Sequence, residues 1–273
     1  MNNLELNKIY CESNLDTMER MPDGFVDLTV TSPPYDGLRD YNRYSFPFED
    51  IAKELFRVTK DGGIVVWVVG DATINGSESG TSFRQALFFK EIGFNLHDTM
   101  IYYRISPFPD SIRYHQSFEY MFVFSKGKPN TTNLLSQKKT GKTGKPGCKT
   151  FRNKDGSVKL ADEKAILRMN KSMLSDDKIM ENVWRINAGF GQSTTDKEAF
   201  KHPAIFPEEL ASKHIHSWSN EGDLVYDCFM GSGTTAKMAH IYKRNWIGSE
   251  MSQEYVDLAN KRLLPYLNQI TLF

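Results

Sequence analysis

Short apolar runs recur along the chain, closed by Gly, Pro or Asn clusters, and between them apolar residues fall at helical spacing. Lys8 to Cys11 is predicted as a short edge strand, and Leu15, Met18 and Met21 as one face of a helix before the turn Pro22-Asp23-Gly24. The run Val26-Asp27-Leu28-Thr29-Val30 predicts a buried strand that stops at Thr31-Ser32-Pro33-Pro34-Tyr35, because proline fixes φ and donates nothing to a ladder. Phe48, Ile51, Leu55 and Phe56 stripe a second helix, which Lys60-Asp61-Gly62-Gly63 is expected to stop before a strand from Ile64 to Val69. This reads as a β-α-β unit.

A helix over 82–92, ended by Gly93, leads to strands at 95–104 and 120–124. These two are expected to form an antiparallel hairpin closing one edge of a mixed sheet. From Gly127 to about Asp177 Lys, Thr, Asn, Ser and Gly dominate, which reads as an insertion. Strand character returns at Val183-Trp184-Arg185-Ile186, and Pro207-Glu208-Glu209-Leu210 opens a helix running to about Trp218. A strand over 223–229 runs into Met230-Gly231-Ser232-Gly233-Thr234-Thr235, followed by a helix over 236–242, a strand at 245–248 and a helix over 253–264. The expected organisation is an α/β domain in two halves, 1–126 and 183–273, around an insertion at 127–182.

The 273 residues are 40% hydrophobic, ample for a core. No apolar run is long enough to cross a membrane, and Met1-Asn2-Asn3-Leu4-Glu5 lacks the basic and apolar regions of a secretory signal, so a cytoplasmic protein is expected. Cys11, Cys148 and Cys228 stand far apart without a C-x-x-C pair, which argues against a disulfide framework and a zinc site. The net charge is zero, but its distribution is uneven. Lys126, Lys128, Lys138, Lys139, Lys142, Lys145, Lys149, Arg152, Lys154 and Lys159 face the single acid Asp155 across the insertion. That stretch is either a solvated lysine-rich loop or a surface for a polyanion.

Three places carry candidate chemistry. At Ser32-Pro33-Pro34-Tyr35 a hydroxyl acceptor, fixed backbone carbonyls and a flat aromatic face suit a planar base whose exocyclic amine is gripped and stacked. Asp71 follows the second strand, where open α/β sheets place ligands, although an aspartate there also caps the next segment. Gly231 and Gly233 sit at a strand-to-helix turn that admits close backbone approach, and Glu250, at the end of the next strand, suits a ribose diol. The turn is neither the G-x-G-x-x-G fingerprint nor a P-loop, since it lacks the phosphate-reaching lysine.

Thr31-Ser32-Pro33-Pro34-Tyr35, followed far downstream by Asp227-Cys228-Phe229-Met230-Gly231-Ser232-Gly233-Thr234-Thr235 and Gly248-Ser249-Glu250, resembles the S-adenosylmethionine-dependent DNA amino-methyltransferases whose catalytic motif precedes the cofactor motif. The segment Lys201-His202-Pro203-Ala204-Ile205-Phe206-Pro207 resembles the element that precedes the cofactor strand and helps hold the methionine end of the cofactor. The resemblance covers nearly the whole chain and implies a Rossmann-like fold with an inserted target-recognition region. It assigns catalysis to Ser32, Pro33, Pro34 and Tyr35, and the cofactor to Asp227, Phe229, Gly231, Gly233, Thr234, Thr235 and Glu250, with Lys201, His202 and Pro203. Where the family often has an acid near the adenine, this chain has Ser13.

The implied substrate is double-stranded DNA, with Arg39 near the site and Lys138, Lys139, Lys142, Lys145, Lys149, Arg152 and Lys154 along the insertion as contacts. Serine before the diproline leans toward cytosine N4; adenine N6 is the alternative, and an inactive S-adenosylmethionine- or DNA-binding protein a third reading. Two edge elements and 12% aromatics leave a homodimer open, and the family suggests a cognate restriction endonuclease.

Overall fold

The computed structural model describes residues 4–34, 46–104, 112–139, 150–164, 166–167, 176–187, 189 and 191–268. Its contacts divide the chain into one compact unit of Met1–Asn133 with Asn182–Phe273 and a second, Leu134–Glu181. The lysine-rich stretch therefore contributes 127–133 to the first unit.

The first unit is built on eight strands: β1 Lys8–Cys11, β2 Val26–Thr31, β3 Thr59–Val69, β4 Asn95–Tyr103, β5 Phe118–Ser125, β6 Val183–Arg185, β7 Leu224–Asp227 and β8 Asn245–Glu250. They lie in the order β1-β8-β7-β2-β3-β5-β4-β6, and β5 alone runs against the others. Helices α1 Asn14–Glu19, α2 Phe48–Val58, α3 Thr81–Glu91, α4 Glu208–Trp218 and α5 Thr234–Ile241 lie between them in the chain, and α6 Gln253–Leu267 follows β8. Among the described residues no helix is long and apolar enough to cross a membrane. The core is apolar on both sides of the sheet, as a parallel sheet covered by helices requires. Val65, Trp67 and Phe124 pack with Ile51 and Leu55 of α2 and Phe89 of α3.

Two expectations about this sheet need correction. The hairpin β4–β5 does not close the edge, because β6 pairs in parallel outside β4 from Val183↔Ile101 to Arg185↔Tyr103. Lys60-Asp61-Gly62-Gly63 do not separate helix from strand either. Thr59 already pairs with Val26, and the four residues fall in a register shift within β3 before Leu28↔Ile64. Glycine is needed there: Gly62 has φ +80°, and a Cβ on it would stand 2.3 Å from the Asn130 side chain.

The topology locates the site. From β2 the chain moves to β3 on one side, and from β7 to β8 on the other, so the strand order reverses between the neighbours β2 and β7. Ligands of open α/β sheets bind beyond the carboxyl ends of strands at such a reversal.

The second unit contains two antiparallel ladders, Ser136–Lys138 with Asp177–Ile179 and Thr150–Arg152 with Val158–Leu160. Lys138 pairs with Asp177 at 2.9 Å. Arg152 and Lys154 are exposed.

Candidate active site

β2 and β7 end side by side at Thr31 and Asp227, and hydrogen bonds join their ends. Thr31 Oγ1 donates to Asp227 Oδ1 at 2.6 Å, the Phe229 N–H donates to the same oxygen at 3.0 Å, and Cys228 Sγ lies 3.7 Å from Thr31 Oγ1. Thr235 Oγ1 reaches the Val30 carbonyl at 3.3 Å. The loop carrying Ser32, buried Pro33 and Pro34 is thereby tied to the turn carrying Gly231 and Gly233. Burial pushes the Asp227 carboxyl up to about 6, against the hydrogen bonds from Thr31, Thr235 and Phe229.

Both glycines of the turn are left-handed, Gly231 at φ +51° and Gly233 at φ +79°. A Cβ on Gly231 would meet His202 Nε2 at 3.0 Å, and one on Gly233 would meet Ala259 Cβ at 2.9 Å. His202 therefore sits on the turn, its ring held by a 2.7 Å contact of Nδ1 with the Ala204 carbonyl and by the Tyr255 ring at 4.3 Å. Glu250, the last residue of β8, accepts from the Gly231 and Ser252 N–H groups, each at 2.9 Å. Burial raises its pKa and those N–H groups hold it back. The Phe229 ring packs on Phe46 and Trp67 at 5.7 and 6.2 Å.

Other candidates are placed differently. Asp71 accepts from Ser82 N at 2.8 Å and from Ser82 Oγ at 2.5 Å, so it satisfies the first turn of α3, whose N-cap residue is Gly80. Ser13 caps α1, accepting from Leu15 N at 3.2 Å. Lys201 is exposed and paired with Glu198 at 2.9 Å, and Pro203 is exposed beside it. Tyr35, Arg39, Lys142, Lys145 and Lys149 lie outside the described residues.

Two features had no local signal in the sequence. The side chain of Arg262, on α6, is wholly buried and donates to Ser232 O and Thr234 Oγ1, both at 2.9 Å, while pairing with Asp196 at 2.8 Å and Glu208 at 2.5 Å. Lys237 adds a 2.7 Å bond to Glu208. Burial works against the Glu208 charge, but Lys237, Thr194 and Arg262 overcome it, so its pKa is lowered. The second feature is Asn14, whose amide donates to Cys228 O at 3.1 Å while its buried Oδ1 has no hydrogen-bond partner among the described residues. Glu12 N, two residues earlier, donates to Glu250 O at 3.1 Å, so this orphaned acceptor stands among the ends of β1, β7 and β8.

Strand ends tied together at the order reversal, beside a left-handed glycine turn and a strand-end acid, are the arrangement of an S-adenosylmethionine-dependent methyltransferase fold. The comparisons narrow the class. Residues 26–261 match the family model for DNA methylases of the N6/N4 type. The orphan methyltransferase M.BamHII of Bacillus amyloliquefaciens is 58% identical over 91% of this chain and 92% of its own. The type II methyltransferase M.BglII of Bacillus subtilis is 28% identical over 93% and 68%. Among solved structures, the cytosine-N4-specific PvuII DNA methyltransferase has a TM-score of 0.66 at 23% identity, over 93% of this chain and 85% of that one. The M1.HpyAVI complex with S-adenosylmethionine gives 0.61 at 22%, over 94% and 98%. The chain belongs to the S-adenosylmethionine-dependent DNA amino-methyltransferases.

Proposed function

We propose that this methyltransferase modifies the exocyclic N4 of a cytosine turned out of duplex DNA, with adenine N6 as the alternative base. The observation that carries the reading is the Thr31–Asp227 bond, which holds Ser32-Pro33-Pro34 beside the glycine turn. An amine conjugated with its ring is a poor nucleophile until acceptors hold its hydrogens. Ser32 Oγ and the carbonyl of Pro33 or Pro34 supply such acceptors, favouring a pyramidal nitrogen. S-adenosylmethionine, when bound, supplies an electrophilic methyl group. Orienting the amine in line with it is worth about 7–11 kcal/mol in favourable cases. Burial raises the Cys228 thiol well above its ordinary value, so it is no thiolate for attack through ring carbon. Serine before the diproline is what favours cytosine.

The residues present fit the cofactor. Glu250, beside the left-handed Gly231–Gly233 turn, suits ribose hydroxyls, and Asn14 Oδ1, unpartnered among the described residues, is an acceptor for a donor on the cofactor. His202 bears on the methionine end through Gly231, and Asp227, Phe229, Thr234 and Thr235 shape the turn. Glu250→Ala is expected to weaken S-adenosylmethionine binding about ten-fold or more, in line with losing hydrogen bonds to a charged group. Calorimetric titration that returned the parent affinity would remove Glu250 from the ribose.

Unpairing the target base costs roughly a few kcal/mol, and stacking on Tyr35 would return about 1–3. The Leu134–Glu181 unit is read as the target-recognition region that follows the phosphates. Neutralising Lys142, Lys145, Lys149 and Arg152 should flatten the dependence of log affinity on log salt by about 0.9 for each phosphate that the variant leaves unneutralised. An unchanged slope would take the unit off the DNA backbone. The base itself is settled by treating DNA with the enzyme, digesting it and identifying the methylated nucleoside by mass, with its sequence context. N4-methyldeoxycytidine is expected; N6-methyldeoxyadenosine would move the target to adenine, and no methylated nucleoside would leave only binding.

A further inference from the structure

A second group of side chains leaves the sheet at the edge where Ser32 lies. β4 runs parallel to β3 and β5 against both, so Arg104, just after β4, and residues 112–117, just before β5, lie at the carboxyl ends of β2 and β3. Register carries the described residues at both ends outward. Val69, the last residue of β3, pairs with Tyr120, and the β4–β5 ladder continues past it to Tyr103↔Phe118.

Just before β5, Ile112 is 84% exposed and Tyr114 wholly exposed. Between them Arg113 donates to the carbonyl of Gly76, in the short hairpin of Thr73–Ile74 with Ser77–Glu78 that follows β3. Arg104, at the base, pairs with Glu119 at 3.2 Å. The stem is thus held to the sheet edge while an aliphatic and an aromatic side chain project from it. No acid stands between Ile112 and Phe118, which suits an approach to phosphates.

We propose that Ile112 and Tyr114 form a wedge that enters the DNA base stack and fills the space left when the target base turns out toward Ser32. The inference rests on the base-flipping reading above. A base removed from a duplex leaves its neighbours unstacked, and apolar side chains inserted between base steps are how proteins hold such a gap. Tyr114 replaces lost stacking, and Ile112 supports the adjacent step.

The test uses Tyr114→Ala and Tyr114→Phe on two duplexes carrying the mapped site, one fully paired and one with an abasic position opposite the target. On the paired duplex Tyr114→Ala should lower kcat/KM about ten-fold or more, the loss expected for one stacked base. The abasic duplex, which has no pair to break, should restore the variant to within about two-fold of the parent. Tyr114→Phe should behave as the parent, and S-adenosylmethionine affinity should not move. Equal losses on both duplexes, or none on either, overturn the wedge. Base flipping fails separately if 2-aminopurine at the target position does not brighten when the parent enzyme binds.

Discussion

At pH 8 the Asp227→Asn variant is expected to be more stable than the parent by about 1–3 kcal/mol while binding S-adenosylmethionine more weakly, and at pH 4 the stability gain should vanish. The sign follows from the direction of the shift. Burial lifts the Asp227 carboxyl from 3.8 to about 6, so between those values the folded chain holds a proton that the unfolded chain releases. Stability contributed by the protonated group is present below 3.8 and is lost as pH rises through about 6. Above that the charged carboxylate opposes folding, and asparagine, of the same shape, does not. It still accepts from Thr31 and the Phe229 N–H, which hold the turn. The difference between the two pH values is therefore a matter of charge. Urea unfolding at pH 4 and pH 8 measures it, and equal gains at both would assign the effect to packing. Weaker cofactor binding by the variant would give a reason for a costly carboxylate at the strand end, since a local rule broken inside a sound core is expected at a functional site.

The same contrast governs how much of the molecule is legible in its sequence. β2, β4, β5, β7 and β8, and the helices between them, follow from apolar runs and helical stripes, because each buries its own residues against one sheet. The glycine turn and Glu250 are equally legible, since φ above zero and a strand end are local properties. Lys60 to Gly63 are misplaced by such reasoning because Thr59 is claimed by Val26 across the sheet, a pairing that local propensity cannot see. β6 is recognisable as a strand, but nothing within Val183–Arg185 says that it docks outside β4. Asp71 shows both a ligand reading and a capping reading, and Ser82 uses its carboxylate for the second. The Arg262 network is hidden altogether. Its members, Asp196, Glu208, Ser232, Thr234 and Lys237, are scattered along the chain, and an arginine on a helix ordinarily reads as surface.

Replacing that arginine should produce the largest loss of stability. Arg262→Ala removes a guanidinium that neutralises Asp196 and Glu208 and satisfies the Ser232 carbonyl and Thr234 hydroxyl. Breaking a buried pair from one side typically costs about 3–5 kcal/mol, because the partner charge stays behind. Against a total of about 5–15 kcal/mol for a folded domain, the urea midpoint should fall steeply. Lys237 remains on Glu208, so Asp196 is the carboxylate left most exposed to the loss. Adding Asp196→Asn to Arg262→Ala should accordingly recover part of the midpoint, a non-additivity expected of groups in one network. The consequence extends to the cofactor. Asp196 caps the short 3-10 helix Lys197–Lys201 that leads into His202, and His202 in turn bears on Gly231. Arg262 thus holds the glycine turn from α6 and the His202 segment from Asp196 at once. Under conditions where the variant remains folded, its KM for S-adenosylmethionine should rise more than its kcat falls. An unchanged midpoint would mean that Asp196 and Glu208 find water or Lys237 as readily as they find Arg262.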